Sequence, residues 1–549
     1  MTAGTNIGLT SGNGAITVNG EATAGQNVSA HTEAGDIAFN GDVEATDGDV
    51  TATVRGAGDI TFNGQIAATA GSVSAETGFG AITANGTMTA KQDIGLTSGD
   101  GAITVNGEAT AGQDVSAYTG AGDIAFNGDV EATDGNVTAT VAGDGSITFN
   151  GQVTAHGTAE DNGSISAEVS GTGDITVNAG TEFRADQDIL MQAETGSIHV
   201  HADLTAGRDI ALGTNRGDIF FAGSQDGTAE EIHVTSESGD ISLSLTGEGD
   251  IKDTNGEPNG DHAILKAKAG NVTVNHSGIG DVDLFELYAE DASKISTADG
   301  DLHLVNVSGN LVALVVKKQG QQMDAEHVEA ATQIQIAGSN MNLDDVVQRE
   351  DGDGFLAISP DGAEADTPID NLTFGNIKSN TGVRFDHLWV NTGDIHVGQG
   401  AFHLDKVYVE DKATFSTGHM VTDVFGSAPV YDASRDSAYW VNTGISRPES
   451  QLDDWRSSGI DGRWMYLHFD ADGAVQKSNG NLLHLQDHND VYSQRYSMTD
   501  WMDLFTDEEF HDFYGRYYAP ELSYHDRYVH IDGEAAGPDN ADSGEIDVE

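Results

Sequence analysis

The chain has 549 residues, with 89 Asp and Glu against 24 Lys and Arg, a formal balance of −65, and no cysteine. That balance excludes the basic surface that nucleic-acid phosphates require and opposes adsorption to an anionic membrane. The missing cysteines exclude disulfide staples, thiolate metal sites and a cysteine nucleophile.

From its first residues the sequence repeats. Ile7 to Gln65 returns as Ile94 to Gln152, and the two copies differ at eight of 59 positions, leaving 59 − 8 = 51 identical. The differences are Asn13/Asp100, Asn27/Asp114, His31/Tyr118, Glu33/Gly120, Asp49/Asn136, Arg55/Ala142, Ala57/Asp144 and Asp59/Ser146. All fall at expected turns or on the polar side of alternating runs, so a fixed interior and a looser exterior have been copied. A finer period lies inside. An isoleucine opens the same phrase at Ile16, Ile37, Ile60, Ile82, Ile103, Ile124 and Ile147, and more loosely at Ile175, Ile198, Ile219 and Ile241. A period of about 22 residues marks a solenoid or array. Each unit holds three short runs, such as Ile37/Phe39, Val43/Ala45 and Val50/Ala52/Val54. Apolar residues there alternate with polar ones between Gly, Asn and Asp. Alternation of period two predicts strands. Three strands per coil, stacked coil on coil, predict an all-β parallel β-solenoid whose coils cover one another's apolar edges.

Asn-Gly recurs at one point of each coil. Asn19, Asn40, Asn63, Asn85, Asn106, Asn127 and Asn150 are each followed by glycine. Asn and Gly tolerate a tight corner, and stacked asparagines can hydrogen-bond as a ladder along the axis. Isolated hairpin turns are the alternative, but they leave the 22-residue register unexplained.

Residues 1–245 read as regular solenoid, with loops inserted at 157–162 and 223–231. Residues 246–420 read as less regular coils after a loop at 253–261; Leu302/Leu304, Ile334/Ile336 and Val407/Val409 still alternate. Beyond Val421 the text becomes aromatic and non-repetitive. All five Trp lie beyond residue 388 and eleven of the thirteen Tyr beyond residue 400. Residues 421–530 therefore read as a cap for the last coil or as a binding module, with an amphipathic helix at 497–513. Residues 531–549 form an acidic tail. Met1-Thr2-Ala3-Gly4 enters the repeat without the cap a solenoid needs, so the sequence reads as part of a longer parent. No apolar run of 18 residues proposes a membrane insertion.

No catalytic constellation stands out. A β-solenoid lyase would want a placed Arg or Lys, yet the first 210 residues hold only Arg55, Lys91, Arg184 and Arg208, scattered, and Arg55 becomes Ala142 in the copy. Paired carboxylates for glycoside hydrolysis carry no signal among 89 acids. The late histidines His468, His484, His488, His511, His525 and His530 share no evident face. The acidity is accounted for by a solvated surface, by divalent cations with Ca²⁺ foremost, or by life in high salt. No EF-hand loop or Gly-Gly-x-Gly-x-Asp repeat occurs, so no metal ligand is named. The expectation is a protein without enzymatic activity and without a cofactor. Trp455 and Trp464 are the candidates for contact with a sugar, on composition alone.

The repeated "GDIAFNGDVEATDGDVTATV" resembles the repeat region of bacterial filamentous haemagglutinin-type adhesins, exoproteins exported by two-partner secretion. The segments "LHFDADGAVQKSNGNLLHLQD", "YSQRYSMTDWM", "YHDRYVHIDG" and "SGEIDVE" are similar to the end of the leukotoxin-like members of that group. The amino-terminal secretion domain of the group, with its Asn-Pro-Asn motifs, has no counterpart here. The resemblance implies a right-handed β-helical stalk at the bacterial cell surface or outside it. Its partner would be a host or bacterial glycan or protein receptor, and self-association into filaments is a further possibility it opens.

Overall fold

The computed structural model describes residues 1–157, 162–178, 180, 182–222, 231–253 and 262–347 with their side chains, and from residue 348 the backbone of the strands named below. The chain divides into two compact units, Met1–Asp291 and Ala292–Glu549. Among the described residues every regular element is a strand. All the strands pair in parallel except Ala438–Asn442 and Trp464–His468, which pair antiparallel.

The first unit is a parallel β-solenoid of three sheets. Sheet 1 collects the five-residue strands that begin Ile7–Ser11, Val28–Thr32 and Val50–Val54 and runs to Val272–Ile279. Sheet 2 collects the runs opened by isoleucine, from Ile16–Val18 to Ile251–Asp253. Sheet 3 runs from Thr2–Ala3 and Ala22–Ala24 to Ala263–Ala267. Each strand sits on its equivalent one coil earlier, Ile37 on Ile16, Ile60 on Ile37 and Ile82 on Ile60. A stack of about thirteen levels at ~4.8 Å per level is about 60 Å long.

Alternation dictates burial strand by strand. In Val50–Val54 the side chains of Val50, Ala52 and Val54 are buried while Thr51 and Thr53 are half-exposed. The triangle inside is narrow, and several coils fill it with one large residue, each at a different place. Met88 lies in the coil of Ala75 and Ala84, Leu96 in that of Val105 and Ala109, Phe126 in that of Ala117 and Val130, and Phe183 in that of Ala167 and Val177. One large residue faces two smaller ones, which keeps packing dense without forcing a rotamer.

Two devices close the turn from sheet 1 to sheet 2. In several coils a buried hydroxyl ends the strand. Thr77 Oγ1 donates to Gly58 O of the previous coil at 2.8 Å and accepts from Gly80 N at 3.1 Å; Ser98 does the same with Gly80 O and Gly101 N. His276 takes over this task at the last such corner. Its Nε2 lies 2.7 Å from Gly249 O and its Nδ1 3.2 Å from Gly278 N. Glycines then stack backbone on backbone. At Gly145, φ is 145° and a Cβ would lie 2.3 Å from Gly122 O. A Gly145→Ala protein is expected to lose about 2 kcal/mol or more, seen as a lower melting temperature, since neither the backbone nor the carbonyl below can yield.

Near the end of the first unit the corner between sheets 2 and 3 disappears. The single strand Val282–Ala289 pairs with Ile251 through Val282 and with Ile264–Ala267 through Glu286–Ala289. No Asn-Gly interrupts that stretch, so nothing breaks the strand. In the second unit Leu302–Val316 and Gln322–Ala337 run 15 and 16 residues, with the register shifting between Gly309 and Leu311 in place of a sharp corner. Parallel pairing continues through Asn340–Gln348, Asn371–Lys378, Leu388–Val397 and Val407–Thr417. Glu545–Val548, within the stretch read as an acidic tail, pairs with Lys412–Phe415. Residues 158–161, 223–230 and 254–261, which make up most of the expected loops at 157–162, 223–231 and 253–261, and the expected helix at 497–513 lie outside the described residues.

Candidate functional site

The corner between sheets 2 and 3 carries the asparagine column. Asn40 Nδ2 donates to Asn19 Oδ1 at 2.9 Å, Asn63 to Asn40 at 2.8 Å, Asn85 to Asn63 at 2.8 Å, Asn106 to Asn85, Asn127 to Asn106 and Asn150 to Asn127, each at 2.7 Å. Asn178, which no glycine follows, extends the ladder by donating to Asn150. Each amide from Asn40 to Asn150 is donor to one coil and acceptor to the next, and such chains reinforce one another. Asn85→Asp keeps the acceptor for Asn106 but faces a carboxylate to Asn63 Oδ1. It is expected to cost about 1–2 kcal/mol, more than Asn85→Ala at about 1 kcal/mol, measured by thermal unfolding.

A second set of columns stands at the residue leading into each strand. There the backbone N–H has no strand partner, and an Asp, Asn or Ser one coil earlier accepts it. Along sheet 1 Asn27 Oδ1 accepts from Asp49 N, Asp49 Oδ1 from Ser72 N, Asp93 Oδ1 from Asp114 N, Asp188 Oδ1 from Asp209 N and Asp209 Oδ1 from Asp240 N, at 2.8–3.2 Å. Along sheet 2 Asp36 serves Asp59 N, Asp59 serves Ala81 N, Asp218 serves Asp250 N and Asp250 serves Asp281 N. Much of the acidity of the first unit therefore has a structural task. Reading the sequence as turn chemistry missed it. The signal was there, since Asp, Asn or Ser precedes the first apolar residue of strand after strand at the same spacing as the isoleucines.

Stacked carboxylates repel, and the scarce cations sit beside them. Arg208 clasps Asp188 with Nε–Oδ1 at 3.1 Å and Nη2–Oδ2 at 2.6 Å. Lys252 Nζ lies 2.9 Å from Asp250 and 3.4 Å from Asp218. Partial burial pushes the Asp188 carboxyl up, but Arg208 and the Asp209 N–H outweigh it and hold it below the ordinary range. At Asp250 burial likewise pushes up and is outweighed by the Asp281 N–H, Lys252 and His276. Lys252 is lowered by its burial and raised, on balance, by Asp250 and Asp218. Asp144 is held low first by the Thr172 N–H and then by the Thr172 hydroxyl.

Among the described residues no group of three or more His, Asp or Glu side chains is placed to hold a metal ion. Trp464 opens the strand Trp464–His468 and stands opposite Asn442; Trp455 and the late histidines other than His468 lie outside the described residues.

The eight differences between the copies sort by place. None is buried. Asn27/Asp114, Asp49/Asn136 and Asp59/Ser146 are leading residues, and each alternative accepts the same backbone N–H. The other five lie along one edge, in the turn from sheet 1 to sheet 2 or at the outward end of sheet 1. No protein family, no curated protein and no solved structure matches the chain.

Proposed function

We propose that the protein is a non-enzymatic structural adhesin of the extracellular or cell-surface space, in which the solenoid acts as an acidic stalk. The observation that carries the reading is the coil-on-coil register of the first unit, which shifts in sheet 1 only between Val169 and Thr172 among the pairings described. Coil after coil repeats the same backbone pairing, asparagine ladder and leading-residue bonds, which is how a chain gains stiffness and repeated outward faces. Repeated faces permit many weak contacts to act together. The resemblance to filamentous haemagglutinin-type adhesins in the last 130 residues or so supports the same reading. It also supports export, with which the lack of cysteine is compatible.

The protein immobilised on beads is expected to retain cells in a density-dependent way and to release no reducing sugar from a panel of polysaccharides. Turnover by the purified protein would replace the scaffold with a carbohydrate-cleaving β-helix. Retention of no cell type would remove adhesion. A weight-average mass that rises with protein concentration, read by light scattering, would move the reading to a filament subunit.

A further inference from the structure

We infer that the edge between sheets 1 and 2 around Phe79 and Tyr118 is a docking surface for a basic polypeptide segment; the inference rests on the adhesive reading above and names its partner. Among the described residues the large apolar side chains left exposed are Met1, Phe79, Tyr118, Leu190 and Ile279. Scattered singly, such residues need no explanation. These are not scattered at random. Phe79 lies in a Gly-x-Gly turn between sheets 1 and 2, Ile279 stands between two glycines at the end of its sheet 1 strand, and Tyr118 is the last outward residue of its own sheet 1 strand. Phe79 is 62% exposed, and its neighbours Gly78 and Gly80 have no side chains to shield it. Their backbones lie too close to the coil beneath for a Cβ, so the bare flanks are built in. Glu76 and Tyr118 share one outward column, both standing in register with Thr97, and Asp100 lies in the turn one coil beyond Phe79.

The duplication indicates what this edge has become. In the first copy the five edge positions are Asn13, His31, Glu33, Arg55 and Ala57. The Glu33 carboxylate is already engaged there, by Arg55 at 3.4 Å and His31 at 3.3 Å, and the five sum to zero charge. In the second copy they are Asp100, Tyr118, Gly120, Ala142 and Asp144, which sum to −2 and include an exposed aromatic ring. The internal cation is gone. Between Arg55 and Arg184 the only Lys or Arg is Lys91, which lies in the turn from sheet 3 to sheet 1, on another edge. A surface of unopposed carboxylates around two exposed rings suits Lys and Arg side chains, which are attracted by the acids and by the ring faces. It repels nucleic acid and anionic lipid, and its charge contributes nothing toward a neutral glycan.

The test uses the full chain and fluorescein-labelled octa-arginine, followed by anisotropy at low and moderate salt. The variant combines Phe79→Ser, Tyr118→His and Ala142→Arg; the last two install what the first copy already carries at those places, so folding is preserved, as circular dichroism will check. Binding by the parent and at least a tenfold loss in the variant is the expected result. Equal affinity would overturn the assignment, because carboxylates anywhere on the surface would then carry the binding. Binding of maltoheptaose, lost in the same variant, would overturn it in favour of a glycan. Cell retention separates the two readings. A variant that loses octa-arginine but retains cells fully leaves adhesion standing and removes this edge from it. A parent that binds octa-arginine and retains no cells keeps the edge and removes adhesion.

Discussion

Phe149→Ala is expected to open the middle of the first unit while leaving its early coils closed. Phe149 is fully buried, stacked at 5.5 Å and 6° on Phe126 below and meeting Phe183 edge-on at 4.9 Å. Removing the ring takes away its own burial and leaves two other rings facing a hole that a triangular core has no spare chain to fill. Core Phe→Ala changes cost about 3–5 kcal/mol. In a compact globule that loss would be shared by the whole domain. In a solenoid each coil is held by its neighbours alone, so the loss stays near its origin. Hydrogen exchange should therefore quicken most in the strands Val115–Thr119 to Glu182–Ala185, while Val28–Thr32 and Ile37–Phe39 keep their protection. Uniform quickening across the unit would contradict nearest-neighbour stability. Phe62→Ala, which removes a ring stacked on Phe39 alone at 5.5 Å and 3°, is the comparison and is expected to cost less.

The same locality explains what could be read from the sequence. Ile37, Phe39, Val43 and Val50 announce their burial because every neighbour that covers them is a copy of themselves, so period and environment are one signal. Asn40-Gly41 announces its corner and its ladder for the same reason. Asp49 and Asp209 do not announce theirs. An aspartate in glycine-rich text has the composition of a turn, and its second task, accepting an amide one coil later, appears only when the coils are laid in register. Val282–Ala289 was hidden by the opposite cause. There the informative residue is the Asn-Gly that is missing, and alternation alone does not say whether one strand or two will form. Trp455 and Trp464 were selected by residue type, with no repeat to place them, so their geometry was never legible.

Acidity and salt are expected to move stability in opposite ways at two neighbouring aspartates. Adjacent carboxylates about 5 Å apart repel by roughly 0.8 kcal/mol at the dielectric of water, and several such contacts summed along the columns compare with the stability of a whole domain. Raising NaCl from 10 mM to 1 M shortens the screening length from about 30 Å to about 3 Å, less than the spacing of the levels. The melting temperature should therefore rise steadily over that range. Asp209→Asn keeps the acceptor that serves Asp240 N, as Asn27 and Asn136 do at equivalent places, and removes a charge with no cation placed on it by the columns above. It is expected to stabilise by about 0.5 kcal/mol at 10 mM salt and by almost nothing at 1 M. Asp188→Asn keeps the acceptor for Asp209 N but deprives the Arg208 clasp of its charge, and is expected to destabilise by about 1 kcal/mol at either salt.

The pH dependence follows from the same groups. The folded state holds Asp188, Asp250 and Asp144 below their ordinary value of 3.8. Their contribution is complete above the unfolded value and is lost as pH falls through the lower, folded one. Lys252 is raised above 10.5, so its contribution is complete below that and is lost as pH climbs past it. Between those limits these groups keep their charges, so their share of the stability should be level from pH 8 to pH 5 and be lost as pH falls below about 4. Melting temperatures at pH 7, 5 and 3 check this, and an unchanged value at pH 3 would mean that these contacts do not hold the fold.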